Sequence, residues 1–215
     1  MTLLLVALDF LSLDMALKVA AASRVYVDIL EAGTPLIKSE GIRVLDALRK
    51  KFQEKKIFAD LKIMDAGALE ARMAFEAGAD MISVCAQASI ETITEAIEET
   101  RNWNKKVVVD LIGSRDWFSK AKELKHLCPD YFCIHTGLDE QIKGKKPFEK
   151  LEDFVREINF PYCIAGGIKP EDLQFIMPFK PSIIIVGGYI TKAESPEEAA
   201  KKIKVAMDAY RTVRV

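Results

Sequence analysis

Seven times along the chain, a short apolar run ends in a polar residue or a glycine pair. The runs are LLLVALD, VYVDILE, KIFADLK, KVVVD, YFCIH, YCIAGG and SIIIVGG, and they carry Asp9, Glu31, Asp60, Asp110, His135, Gly166-Gly167 and Gly187-Gly188 at or near their ends. An eighth run, DMISV, fills the vacant slot around residue 82. They recur about every 25 residues, or at twice that, which is the length of one strand-plus-helix unit. The intervening stretches have helical periodicity over 12–23, 40–53, 89–101, 114–127, 147–158, 170–177 and 195–210. Ser12, Ser89 and Ser195 are the expected N-caps, and Pro196 stands at the first position of its helix. Eight strands alternating with helices predict a TIM barrel of the (β/α)8 type, in which the carboxyl ends of all strands converge on one site.

A chain of 215 residues with half of them hydrophobic suits one catalytic domain over 1–215, and no linker or low-complexity tract divides it. A net charge of −1 offers no basic face for nucleic acid, and Lys143, Lys145 and Lys146 read as a solvated loop. No run reaches the ~20 residues of a membrane helix. The leading LLLVAL is too short and too regular for a signal peptide, so a cytoplasmic location is expected. Cys85, Cys128, Cys133 and Cys163 lack CxxC spacing and read as reduced thiols. The connection 136–147, polar and glycine-containing, is a candidate lid.

Side chains alternate along a strand, so Asp60 and Lys62 in FADLKIMD face the barrel mouth while Leu61 points outward. Asp65 falls at the start of the next helix, and Asp-x-Lys-x-x-Asp sets an ammonium between two carboxylates. Such an array keeps the lysine protonated, suited to stabilising an oxyanion and unsuited to Schiff-base formation; a structural ion-pair network is the alternative. By the same alternation Val25, Val27, Ile29 and Glu31 share a face, which turns Glu31 inward beside Asp60. Two carboxylates with open positions suit a hard cation such as Mg²⁺. His135, at a strand end, is a candidate general acid/base, a core histidine being the alternative, and His126 caps a helix end. The two glycine pairs precede helix starts after the seventh and eighth strands, where backbone N–H groups can hold a phosphate.

The segments VALD, EAGTPLIKSEG, ADLKIMDAG, VVVDLI, IHTGLD, IAGGIK and IVGG together resemble the orotidine 5′-monophosphate decarboxylase suprafamily and, within it, the 3-hexulose-6-phosphate synthases. Related 3-keto-L-gulonate-6-phosphate decarboxylases carry Glu, Arg and Arg where this chain has Asp110, Leu138 and Gly188. The resemblance implies reversible aldol addition of formaldehyde to D-ribulose 5-phosphate, giving D-arabino-hex-3-ulose 6-phosphate through a 1,2-enediolate. It implies Mg²⁺, replaceable by Mn²⁺, on Glu31 and Asp60, and His135 acting at C1. Asp9, Asp65 and Asp110 would position substrate hydroxyls and Lys62, while the amides of Gly166, Gly167, Gly187 and Gly188 hold phosphate. It further implies a homodimer in which Asp65 completes the partner's site. A phosphosugar decarboxylase with the same enediolate chemistry is the alternative enzyme, and a barrel that binds phosphosugar without turnover is the non-catalytic one.

Overall fold

The computed structural model describes residues 1–149 and 151–212, with side chains to residue 210. Eight parallel strands close into a barrel in sequence order. They are β1 (Leu3–Leu8), β2 (Ile29–Ala32), β3 (Lys56–Ile63), β4 (Met81–Cys85), β5 (Lys106–Asp110), β6 (Tyr131–His135), β7 (Tyr162–Ala165) and β8 (Ile183–Val186). β1 closes the ring by pairing with β8, Leu3 opposite Ile183. The helices are α1 (Leu13–Ser23), α2 (Thr34–Glu40), α3 (Arg43–Lys51), α4 (Gly67–Glu76), α5 (Ile90–Asn102), α6 (Trp117–Leu124), α7 (Leu138–Gln141), α8 (Leu151–Ile158), α9 (Leu173–Ile176), α10 (Gly188–Thr191) and α11 (Pro196–Thr212). Among the described residues, no helix is long and apolar enough to cross a membrane.

Period-two alternation divides the apolar residues into two cores. Leu5, Ile29, Phe58, Met81, Val108, Cys133, Cys163, Ile183 and Ile185 fill the barrel interior. Their sequence neighbours, among them Leu4, Leu30, Ile57, Ile82, Val109, Phe132, Ile164 and Ile184, pack outward against the helices. Burying both faces explains why these strands read as continuous apolar runs.

Several expected boundaries shift. The stretch 25–31 is not one strand: β2 begins at Ile29, Val25 is 73% exposed and Val27 lies in the outer core, so neither shares the Glu31 face. The predicted helix 40–53 narrows to α3, starting at Arg43, because Gly41 at φ +78 ends a separate helix, α2, that precedes it and is absent from the predicted set. The helix expected after β3 with Asp65 at its start is α4, which begins two residues later, at Gly67. Ser89 and Ser195 accept N–H groups of the first turn as expected, whereas Ser12 makes no side-chain cap. The helix over 114–127 shortens to α6 plus a 3₁₀ turn, and that over 170–177 becomes a 3₁₀ turn leading into α9. The candidate lid contains the single-turn α7. Residue 150 within the predicted helix 147–158, and residues 213–215 of the predicted domain, lie outside the described residues.

At the amino-terminal end, the strands are tied by aspartates. Asp28, Asp80 and Asp130 immediately precede β2, β4 and β6, and their carboxylates accept the N–H of Leu4 at 2.8 Å, Ile57 at 2.9 Å and Val107 at 2.9 Å on the preceding strand. Asp80 also bonds Lys105 Nζ at 2.8 Å and Arg49. These ties hold the end opposite to the one where Asp60, Asp110 and His135 collect.

Candidate active site

Strand β3 sets the geometry. Asp60 follows the inward-facing Phe58, and pairing with β4 slips between Ala59 and Ile63. There Lys62 adopts φ +49, in the left-handed region, which costs a non-glycine residue about 1–2 kcal/mol. The turn folds the ammonium back onto Asp60 Oδ2, with which it pairs. Ser83 on β4 stabilises this conformation: its hydroxyl accepts the Lys62 N–H at 2.9 Å and donates to Asp60 Oδ1 at 2.8 Å. The Thr34 hydroxyl, 2.8 Å from Asp60 Oδ2, is the other neutral partner.

Asp110, buried at the end of β5, bridges Lys62 to His135 on β6. Its Oδ2 lies 3.6 Å from Lys62 Nζ and 2.8 Å from His135 Nδ1, and its Oδ1 accepts the Ile112 N–H at 2.9 Å. Burial of Lys62 opposes its charge, but Asp60 and then Asp110 outweigh that and raise its pKa, so the ammonium is permanent. Burial alone would raise the pKa of Asp110; His135 and Lys62 hold it below the usual carboxylate range. Burial likewise works against charged His135, and Asp110 reverses the sign, lifting it above 6.5. The Nδ1 contact leaves Nε2 without a hydrogen bond among the described residues, and a side chain 20% exposed keeps the ring reachable from the mouth.

Beside this array stand Glu31 and Asp9. Glu31 is 5% exposed, and its Oε2 is buried with no hydrogen-bond partner among the described residues. Burial, then the charges of Asp60 and Asp9, push its pKa well above the ordinary value. Burial, followed by Asp60, also raises Asp9. An orphaned carboxylate oxygen facing other carboxylates is the environment that a hard divalent cation relieves. Asp60 Oδ1, engaged among the described residues only by Ser83, keeps a lone pair for the same purpose, so the donor set fits Mg²⁺. Asp110, Cys133 and His135 also bring ligand atoms within 4.8 Å of one another. Burial raises the Cys133 thiol far above its usual pKa, and the other two are bonded to each other, which disfavours a thiolate centre there.

The glycine pairs lie on the same rim. Gly166 has φ +120, and a Cβ there would sit 2.6 Å from the Thr136 carbonyl oxygen, so β6 and the loop after β7 approach as only glycine permits. Gly33, two residues after Glu31, has an ordinary φ of −65, and a Cβ there would fall 2.0 Å from Asp9 Oδ1, so any side chain at 33 would displace the Asp9 carboxylate. Gly187 precedes the single turn of α10, and its Cβ position is 3.6 Å from Asp9 Oδ2. Lys146 departs from the solvated-loop reading, bonding the Gly167 carbonyl at 3.3 Å and Asp172 at 3.2 Å and so joining the 136–149 connection to the first glycine pair.

Asp9, Glu31, Asp60, Lys62, Asp110 and His135 thus share one electrostatic neighbourhood. Asp65 does not join it within the single chain. It is exposed, its Oδ1 accepts the Ala66 N–H at 2.8 Å, and the second carboxylate against Lys62 is Asp110. His126 lies away from the site, its Nδ1 2.8 Å from the Glu123 carbonyl oxygen. Sequence reading missed Thr34 and Ser83. Ser83 had a signal, being the one polar side chain inside MISVC; Thr34 lies between the run that ends at Glu31 and the helix expected from residue 40, in a stretch to which the pattern assigns no element.

The family model described as orotidine 5′-phosphate decarboxylase / HUMPS matches residues 2–203. The chain is 42% identical over 199 residues to a 3-hexulose-6-phosphate synthase of Bacillus subtilis, covering 92% of this chain and 95% of that protein. Among solved structures it resembles a 3-hexulose-6-phosphate synthase from Salmonella typhimurium (TM-score 0.93, 33% identity, 97% of this chain and 99% of that one). It also resembles KGPDC from Streptococcus mutans (TM-score 0.90, 27% identity, 97% and 98%).

Proposed function

The chain belongs to the orotidine 5′-phosphate decarboxylase / HUMPS family, and from that premise we propose that it is a 3-hexulose-6-phosphate synthase. The reaction is reversible aldol addition of formaldehyde to D-ribulose 5-phosphate, yielding D-arabino-hex-3-ulose 6-phosphate. The observation that carries the reading is the Lys62–Asp110–His135 bridge: a fixed ammonium and a base with a free Nε2, joined through one carboxylate oxygen.

His135 takes the C1 proton of the ketose through Nε2, and the Lys62 ammonium stabilises the negative charge that develops on the C2 oxygen of the resulting 1,2-enediolate. C1 then forms a bond to the formaldehyde carbon, and the new alkoxide takes the proton back from His135. Asp110 holds the imidazole tautomer and the ammonium in one geometry. Glu31 and Asp60 would hold Mg²⁺ or Mn²⁺, which supplies further positive charge for the sugar oxygens. Asp9 binds a substrate hydroxyl, and the N–H groups of Gly166, Gly167, Gly187 and Gly188 hold the phosphate.

A homodimer, with Asp65 entering the partner's site, completes the proposal. Exposed Met64, Leu69 and Met73 around Asp65 are apolar surface of the kind a dimer covers. The reaction is assigned to the cytoplasm. The likeness in fold to KGPDC makes a 3-keto-L-gulonate-6-phosphate decarboxylase the second reading.

The test supplies ribulose 5-phosphate, formaldehyde and Mg²⁺ and follows formaldehyde, with carbon dioxide release from 3-keto-L-gulonate 6-phosphate as the parallel assay. Formaldehyde consumption that EDTA abolishes and Mg²⁺ or Mn²⁺ restores is expected. A higher kcat/KM in the decarboxylase assay would exchange the two readings, and full activity in a verified metal-free preparation would remove the metal.

A further inference from the structure

Lys146 and Lys192 stand beside the glycine pairs, as does Lys169, whose backbone N–H donates to Asp172 Oδ2 at 2.9 Å, and the side-chain contacts of Lys146 and Lys192 differ. Lys146 is committed to the Gly167 carbonyl and to Asp172. Lys192, one turn beyond Gly188, makes no side-chain hydrogen bond and no ion pair among the described residues. Its backbone N–H donates to the Gly188 carbonyl at 3.1 Å, which fixes the lysine at the end of α10. Helical side chains lean toward the start of their helix, so the Lys192 stem runs back over Gly188. A Cβ placed on Gly188 would lie 3.8 Å from Lys192 Cδ and 3.9 Å from Cε, and nothing else among the described residues is within 4 Å of that position. Glycine at 188 therefore leaves the rim beside the second amide pair to the lysine stem. The ammonium also acts inward: Lys192 is among the charges that pull the Asp9 carboxyl down against its burial.

We propose that Lys192 is the side-chain cation of the phosphate site, reaching from the far end of α10 to pair with an anion held by the glycine N–H groups. The inference rests on the reading of those loops as the phosphate cradle. It assigns the site a charge that neither glycine pair supplies and that Lys146, already neutralised by Asp172, cannot provide. An ammonium on a flexible stem contributes a point charge to a phosphate. Its effect falls on binding of the phosphate end, remote from C1, and so on ground state and transition state alike.

The experiment compares Lys192→Met, Lys192→Gln and Lys192→Arg with the native protein. Calorimetry measures binding of inorganic phosphate and of D-ribulose 5-phosphate, and steady-state assay of formaldehyde consumption gives kcat and KM. The side chain is exposed, so melting temperatures should match. Met and Gln should weaken phosphate binding and raise KM by about tenfold to a hundredfold, the range for a hydrogen bond to a charged group. Their kcat should stay within about twofold of native, and Arg should restore most of the affinity, since the loss is in uniform binding. Native-like phosphate affinity in Met and Gln would overturn the assignment of Lys192 while leaving the synthase reading intact. A fall in kcat at constant KM would overturn it as well. Failure of the native protein to bind either ligand would overturn the phosphate cradle itself, and this inference with it.

Discussion

One oxygen of Asp110 faces both the Lys62 ammonium and the His135 imidazole. The acid/base behaviour of the site therefore depends on that carboxylate. His135 acts as a base only when neutral, and its pKa is raised. Activity should accordingly fall on acidification, beginning at a higher pH than for a free imidazole. Asp110→Asn removes the charge that raises it while burial remains, so the acid limb of kcat/KM should move to lower pH; a limb that stays in place would assign it to another group. His135→Asn should lower kcat by roughly 10² to 10⁴, the share of a general base. Unchanged exchange of the ribulose 5-phosphate C1 proton in that variant would exclude His135. Alternation along β3 made Asp60 and Lys62 legible in the sequence. Asp110 as the lysine's second partner was legible only through the resemblance, because spacing points to Asp65, near in sequence, whereas Asp110 is near in space, two strands away. The left-handed backbone at Lys62 was hidden for a similar reason: it is held by Ser83, a residue of another strand.

At the scale of elements, the polar residues that end the apolar runs were readable and those that begin them were passed over. Asp28, Asp80 and Asp130 occupy the same place before β2, β4 and β6, and each satisfies a strand N–H of its neighbour. A polar residue before a run reads as a turn until the register of two strands is known. Asp80 carries the most partners. Burial opposes its charge, but Lys105, the Ile57 N–H and Arg49 outweigh that and lower its pKa. A depressed carboxylate contributes stability that is present above its unfolded pKa of about 3.9 and lost as pH falls through the folded value. Asp80→Ala should cost about 2 kcal/mol in urea unfolding at neutral pH, as a charged acceptor is removed from a buried N–H, and less at pH 3. An equal cost at both pH values would mean that packing, not charge, is what Asp80 supplies. Helix ends were less legible than strands, because α2 and α3 divide at one glycine and α9 and α10 are single turns placed by tertiary contacts.

At the scale of the whole molecule, the barrel separates duties between its two ends, and the (β/α)8 architecture read from strand spacing is the architecture found. The proposed dimer adds one more level. Lys62→Ala and Asp65→Asn should each be inactive alone, and equal amounts that exchange subunits should recover roughly a quarter of native activity, because half the molecules are hybrids with one intact site of two. No recovery despite demonstrated exchange would mean that Asp65 acts within its own chain. The clamp of Asp60 and Asp110 on Lys62 has a consequence for survival in the presence of the proposed substrate. Neutral amines attack the carbonyl carbon of formaldehyde, so an enzyme that concentrates formaldehyde at a lysine risks alkylating its own centre. An amine that stays protonated has no lone pair to offer. Under formaldehyde and borohydride, exposed lysines such as Lys50 should be methylated while Lys62 stays unmodified in peptide mass spectra, and labelling of Lys62 at the rate of Lys50 would contradict this. The ion pairs that tune the site would then also serve as its chemical armour.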